Sequence, residues 1–298
     1  MKILVTGATG AVGKSMQTSS GDQLIKVSSK DADLNKYEEI RALIVNTEPD
    51  SIIHLAALSG GRQLSVKRPA DLLTVNINMA QNLILSAKEL GISRIGLALS
   101  GACYGSNSSF LAKEIELHSS PIIEDDYAYA YSKRFFDLLM KSYNSQFGMN
   151  IYSFVINGVI GSEMNYSPDK ALMIPSLIKK IHDSRNNSGE IEVWGDGTPK
   201  RQYTWDKDIS RNIIWCHKNQ LKSTVLNIGT NEIITVAECA ELICKNFRVD
   251  LSRLYYNKSK GNGKATQLTD NSEFTALTNY EYQKIEISLE NICRKFIN

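Results

Sequence analysis

A chain of 298 residues, 42% apolar and 22% charged, has the make-up of a folded globular protein and excludes a disordered polar chain. Its length suits one large core, or a main unit with a smaller lobe. A formal net charge of +2 excludes a nucleic-acid or membrane surface as the main partner, while leaving room for a local basic pocket. No apolar run reaches the ~18 residues of a bilayer span, and Met1 to Gly7 reads as a strand, not a leader. The five cysteines form no Cys-x-x-Cys pair and read as reduced thiols of a cytoplasmic protein.

Lys2 to Val5 is a short apolar strand, and a helix starts at Val12. Leu24 to Val27 is a second strand. Leu34 to Val45 has a helical period, with Ile40, Leu43 and Ile44 on one face. Pro49-Asp50 breaks the chain before a buried strand from Ser51 to Ala56. Leu72, Val75, Met79, Leu83, Ile84 and Ala87 line one face of a long helix that stops at Gly91, and Ile95 to Leu99 is the next strand. Such alternation predicts a doubly wound parallel α/β sheet, with ligands at the carboxyl ends of its strands. Further on, Ile151 to Ile156 and Val225 to Ile228 read as strands, as does Ile191 to Trp194. Ile174 to Ile181, Asp206 to His217 and Val236 to Asn246 read as helices.

The first strand runs into Thr6-Gly7-Ala8-Thr9-Gly10-Ala11-Val12-Gly13. Gly7 permits the tight turn, Gly10 lets a pyrophosphate approach the backbone, and Gly13 allows the helix to close on the sheet. The amides of Thr9, Ala11 and Val12 lie where a dinucleotide would be held. After the first strand of an α/β chain this spacing marks a Rossmann sheet. Residues 1–158, with 203–231 returning to them, are expected to form it, and residues 159–202 and 232–298 a smaller C-terminal α/β substrate lobe. At the end of the second strand, Ser28-Ser29-Lys30 offers two hydroxyls and a cation, favouring the 2′-phosphate of NADP over NAD. Asp31 and Asp33 follow closely, and a shift of register would put one of them at the ribose. Asp33 and Leu34 are placed to meet the adenine.

Tyr129 and Lys133 stand four apart on one helical face. An ammonium beside a phenol stabilises the phenolate and makes the tyrosine a usable acid or base. Ser100, at the end of the preceding strand, can hydrogen-bond a substrate oxygen. His54 reads as a packed strand residue. His118, His182 and His217 have no ligand spacing, so no metal is expected. Lys179, Lys180 and Arg185 read as a solvated helix face.

With Thr6-Gly7-x-x-Gly10-x-x-Gly13, Asp50-Ser-Ile-Ile-His-Leu-Ala56-Ala57, Ser100-x-x-x-Tyr104-Gly105 and Tyr129-x-x-Ser132-Lys133 in one chain, the sequence resembles the extended short-chain dehydrogenase/reductase family of nucleotide-sugar enzymes. Within it, the chain is similar to the GDP-L-fucose synthases through Ile174-Pro175-Ser176-Leu177-Ile178, Val193-Trp194-Gly195-Asp196-Gly197-Thr198-Pro199-Lys200-Arg201 and Leu226-Asn227-Ile228-Gly229-Thr230. The resemblance implies a catalytic set of Ser100, Tyr129 and Lys133, with Leu55, Ala56 and Ala57 beside the dinucleotide. It puts Gly101, Ala102, Asn157, Leu172, Ile178, Trp194, Arg201, Lys264 and Gln267 toward the sugar-nucleotide, and homodimers are usual in that family.

Two departures bear on the reaction. The epimerising cysteine of the fucose synthases, two residues after the serine, is replaced by Ala102, with Cys103 one place on. Their epimerising histidine is replaced by Leu172. Neither replacement can take a proton from carbon. The acidic pair of the related dehydratases is also missing from Ser100-Gly101-Ala102-Cys103-Tyr104. The expected activity is therefore NADPH-dependent reduction of the 4-keto group of a GDP-linked 6-deoxy or related sugar, without epimerisation at C3 and C5. The alternatives are a 4-epimerase holding NAD tightly, a bifunctional epimerase/reductase, and a non-catalytic NADP-sensing protein.

Overall fold

The computed structural model describes residues 1–298 except 19–20, 61, 123–126, 162, 168–170, 220, 222–223, 263–267 and 298, and gives only the backbone of 62–63. Six strands build the central sheet: β1 (Lys2–Thr6), β2 (Gln23–Val27), β3 (Ser51–His54), β4 (Arg94–Ser100), β5 (Asn150–Ile156) and β6 (Val225–Ile228). Their order is β6-β5-β4-β3-β1-β2, and every pairing is parallel. β2 lies on one side of β1 and all later strands on the other. The order thus reverses at β1, which opens a crevice at the carboxyl ends of β1 and β3.

Alternation along β1 explains the two layers. Leu4 points into one apolar layer, and Ile3 and Val5 into the other. The helices are α1 (Ala11–Ser15), α2 (Tyr37–Thr47), α3 (Arg62–Lys67), α4 (Pro69–Glu89), α5 (Tyr127–Phe147), α6 (Met173–Asp183), α7 (Asp206–Lys218), α8 (Val236–Phe247), α9 (Ser272–Thr278) and α10 (Ile285–Ile297). Ile40 and Ile44 of α2, Leu83 and Ala87 of α4, and Phe136 and Met140 of α5 fill the first layer. Ile209 and Ile213 of α7 and Phe274 of α9 fill the second. A third core joins α6, α8 and α10 through Ile178, Ile181, Ala240, Ile243, Leu289 and Ile292. Thr235 caps α8, accepting from the Glu238 amide at 3.1 Å while the Glu238 carboxylate accepts from the Thr235 amide at 2.7 Å. No helix among the described residues is long and apolar enough to cross a membrane. All five cysteines are free and buried.

Packing divides the chain less simply than a cut at residues 158, 202 and 231. Phe274 belongs to the sheet's second layer, and Trp205 to the core of α6, α8 and α10. The second helix starts at Tyr37, not Leu34, because Asp33 closes a turn first. Its carboxylate accepts from the Asn35 amide at 3.0 Å, and the Lys36 amide donates to its carbonyl at 2.9 Å.

Beneath the sheet, His217 of α7 bonds the Tyr152 hydroxyl at 2.7 Å and the Ser51 hydroxyl at 2.8 Å, pinning β5 and β3 to the helix. Burial, then the Arg94 charge, holds its imidazole down at about 3, with Asp22 opposing. His54 is likewise held at about 3, by burial and then by the Lys133 charge. An unfolded chain takes up these protons first, near pH ~6.5. Stability is therefore full above that value and lost as pH falls toward 3, by roughly 2 kcal/mol per histidine at pH ~5. Asp206 acts in the opposite sense, since burial raises its carboxyl to about 6 and the folded chain gains that proton first. The drop in urea midpoint between pH ~7 and ~5 should be clearly smaller in His217→Gln than in the parent chain.

Candidate active site

The glycine turn shows why each of its glycines stands where it does. Gly7 has φ +71°, and a Cβ there would lie 2.5 Å from the Ala56 amide nitrogen. The turn after β1 thus presses on the segment leaving β3, where Leu55, Ala56 and Ala57 are half-buried. A Cβ on Gly13 would lie 2.6 Å from Ala8 Cα, so α1 needs glycine to approach the turn. Gly10 is different. It is exposed, as is Thr9, and a Cβ there would meet only the Gly7 carbonyl at 3.4 Å. Nothing within the chain demands glycine at this point, which fits a ligand pressed on the backbone from outside. Ala11 and Val12, half-buried, begin α1 beside it.

The β2 end departs from expectation. Ser28 does not hold a free hydroxyl, because its amide and its Oγ both donate to Asp31 Oδ2, at 2.8 and 2.9 Å. Ser29 and Lys30 are exposed. Asp33 turns its carboxylate to Asn35, and Leu34 packs against the first apolar layer.

Ser100 ends β4, and its Oγ accepts from the Ala102 amide at 3.3 Å, capping a 3-10 turn over Gly101–Cys103. The Ser100 hydroxyl lies near enough to the Tyr129 phenol to oppose the rise that burial causes. Lys133 lies one helical turn below Tyr129, almost wholly buried. Its Nζ donates to the Ala98 carbonyl at 3.0 Å and sits 4.4 Å from the centre of the Phe136 ring. This corrects the expected electrostatics. Burial pushes the Tyr129 phenol up to about 12, with the Cys103 thiol adding to the shift and Ser100 opposing it. Burial also brings the Lys133 ammonium down to about 8. With its ammonium engaged by a backbone carbonyl and an aromatic face, Lys133 does not lower the tyrosine here.

Because the strand ends at Ser100, Cys103 lies on the turn and not on an extended strand. It is fully buried, its Sγ faces the Ala130 carbonyl at 3.8 Å, and burial raises the thiol to about 11. Gly101 lies against Asn157, whose side chain would stand 2.9 Å from a Cβ at that position. Asn157 Nδ2 donates to Gln202 Oε1 at 3.3 Å. Leu172 is 62% exposed at the start of α6. Ile178 is instead fully buried among α6, α8 and α10, where helical spacing points it inward, so it is a core residue. Trp194 is 63% exposed, with its indole N–H donating to Glu192 at 3.0 Å. Arg201 is half-buried, and its Nη1 donates to the Lys200 carbonyl at 2.7 Å. Lys264 and Gln267 fall outside the described residues. Lys180 is not simply solvated, since it donates to the Glu192 carbonyl at 2.6 Å.

Other residues also shape the site, and of these Asn76 and Arg134 were not singled out by sequence. Asn76 of α4, fully buried, accepts from the Leu58 amide at 2.8 Å and donates to the Leu58 carbonyl at 3.0 Å, fixing the segment after β3. Arg134 donates through Nε and Nη2 to the Cys103 carbonyl at 3.0 and 2.5 Å, and through Nη1 to the Ser120 carbonyl at 3.1 Å. Tyr104 donates to Asn227 Oδ1 at 2.6 Å, and the Asn227 amide donates to the carbonyls of Ala112 and Asp270, both at 3.0 Å. The signal for Asn76 is a polar residue inside the apolar stripe of Leu72, Met79 and Leu83. Among the described residues, no group of three or more His, Cys, Asp or Glu side chains could hold a metal ion.

Comparison with known proteins identifies the fold and the family. A relative described as a probable GDP-L-fucose synthase, from Drosophila melanogaster, is 28% identical over 312 residues, covering 99% of this chain and 97% of its own. The crystal structure of a GDP-L-fucose synthetase from Naegleria fowleri bound to NADP superposes with a TM-score of 0.90 at 24% identity, covering 99% and 92% of the two chains. A GDP-mannoheptose C4 reductase from Campylobacter jejuni with NADP bound gives 0.88 at 20%, covering 100% and 98%. These two structures share the fold. The sequence pattern of the NAD dependent epimerase/dehydratase family matches residues 3–229, from β1 through the end of β6, and the chain belongs to that family.

Proposed function

We propose that this chain is an NADPH-dependent reductase of the 4-keto group of a GDP-linked 6-deoxy or related sugar, and that it does not epimerise C3 or C5. One observation carries the reading: Ser100, at the end of β4, lies beside Tyr129 at the start of α5, while the Cys103 thiol is sealed in the core. The relatives' names, which refer to GDP-sugars, and the NADP in two related structures support the choice of substrate and cofactor.

NADPH held in the glycine cradle would supply the hydride. Gly10 would leave room for its pyrophosphate, in a turn that Gly7 and Gly13 allow to pack against Ala56 and Ala8, with Leu55, Ala56 and Ala57 alongside. Tyr129, whose phenol is protonated at neutral pH, donates its proton to the ketone oxygen, and Ser100 hydrogen-bonds the same oxygen. Lys133 supplies positive charge from below, and Trp194 and Arg201 lie toward the sugar-nucleotide. Ala102 has no basic group, and Cys103, covered and held at about 11, keeps its proton. Because the Lys133 ammonium titrates at about 8, below the ordinary lysine value, it is charged below that pH and neutral above. The pH profile of kcat/KM should accordingly decline as pH rises through about 8.

The test is an NADPH-oxidation assay in deuterated water against a panel of nucleotide-linked 4-keto sugars, with the products read by NMR. One NADPH should be consumed per product, with no deuterium at C3 or C5. Deuterium at either carbon would establish a bifunctional epimerase/reductase. Sugar inversion without net NADPH consumption would establish a 4-epimerase.

A further inference from the structure

We infer that Arg134 is a positioning residue for the reduction: its guanidinium, shared between the Cys103 and Ser120 carbonyls, locks the turn after β4 onto α5 and so fixes Ser100 beside Tyr129. The inference rests on the reductase reading given above. Arg134 follows Lys133 on α5 and is only 7% exposed. A charge so deeply placed is costly unless its donors find acceptors. Asp137, three residues further along α5, is engaged elsewhere, its Oδ2 lying 2.7 Å from both His118 Nε2 and Lys141 Nζ. Arg134 is bonded to backbone carbonyls instead.

Nε and Nη2 donate to the Cys103 carbonyl at 3.0 and 2.5 Å, and Nη1 donates to the Ser120 carbonyl at 3.1 Å. Cys103 ends the 3-10 turn that Ser100 caps at its other end. A carbonyl at the end of such a turn has no partner within it, and Arg134 supplies one. The same turn meets α5 a second time, through the Cys103 Sγ at 3.8 Å from the Ala130 carbonyl, next to Tyr129. Ser120 belongs to a stretch that closes on Gly105. A Cβ there would stand 2.1 Å from Ser120 Oγ, and the Ser106 amide donates to the Pro121 carbonyl at 3.1 Å. One planar fork thus gathers the turn after β4, the stretch at Ser120 and α5 into a single unit.

Ser100 is where this matters. Its Oγ accepts from the Ala102 amide at 3.3 Å, a bond made to the turn itself, so a turn free to shift would carry the hydroxyl with it. A misplacement of about 1 Å can cost about 10²-fold in rate. Arg134 donates to backbone that leads to Ser100, and its effect on the reaction passes through that hydroxyl. A lysine would keep the charge but not the fork, since one ammonium cannot reproduce three planar, divergent bonds.

The test is a double-mutant cycle with Ser100→Ala, run on the full chain with the nucleotide-linked 4-keto sugar that it reduces fastest. Arg134→Met keeps the length and loses the donors. It should lower kcat about 30-fold in the parent chain, while the NADPH dissociation constant changes less than about threefold. In the Ser100→Ala background the same substitution should cost less than about threefold, because the group it positions is gone. Arg134→Lys should cost about fivefold in the parent chain and nothing further in Ser100→Ala, and it carries the test if Arg134→Met does not fold. Equal losses in both backgrounds, a loss that appears in NADPH binding, or parent kcat in the variants overturns the role of Arg134. Failure of the parent chain to oxidise NADPH with any 4-keto sugar of the panel overturns the reductase reading itself.

Discussion

Tyr129→Phe is expected to lower kcat by about 10³-fold while changing the NADPH dissociation constant by less than about threefold. The substitution removes one hydroxyl and keeps the ring, so the packing at the start of α5 is unchanged. What is lost is the proton that the ketone oxygen needs once it gains negative charge. The size of the loss is set by position, not by an unusually acidic phenol, since burial holds Tyr129 at about 12. An acid of that strength is a poor donor in water. On the proposed reading, its position near Ser100 and its burial, not its acidity, favour the transfer. Steady-state kinetics together with fluorescence titration decide the matter. A variant with more than about a tenth of the parent kcat would remove Tyr129 from the chemistry.

Gly7→Ala should be nearly as damaging, and through a different route. The residue has φ +71°, and a Cβ would stand 2.5 Å from the Ala56 nitrogen and 2.7 Å from its Cα. Both neighbours are backbone, so no rotamer change relieves the contact. Left-handed strain of about 1–2 kcal/mol adds to overpacking of about 1–3 kcal/mol. A total loss of about 2–5 kcal/mol is expected by chemical denaturation, with NADPH binding abolished because the cradle is forced open. Gly148→Ala is the control. Gly148 has φ +64° with nothing within 4 Å of a Cβ, so only the backbone strain should appear there.

The sheet was legible because period and punctuation agree. Short apolar runs sit between helices with a clear face, and turn residues mark the ends. α10 is equally legible from Ile285, Leu289 and Ile292, four and then three residues apart. Within the site, glycine spacing and the Tyr129–Lys133 interval could be read directly because both depend on local geometry alone. Side-chain partners could not. Ser28 looked like a phosphate donor until its bond to Asp31 was seen, and the Lys133 ammonium was assigned to the tyrosine when it faces Ala98 and Phe136. Ile178 was carried over from a motif, while its helical spacing already placed it in the core. Each error concerns where a side chain points once non-local elements have packed, which periodicity does not encode.

Tyr104, Asn227, Ala112 and Asp270 form a knot drawn from three distant stretches of the chain. Leu111–Ala112 also pairs with Leu268–Thr269 as a small parallel ladder. Tyr104 follows the capped turn that begins at Ser100, so its phenol ties that turn to Asn227 and, through Ala112, to the strand at Thr269. The strand pair at Thr269 and the capped turn after Ser100 are thus joined by a continuous run of hydrogen bonds.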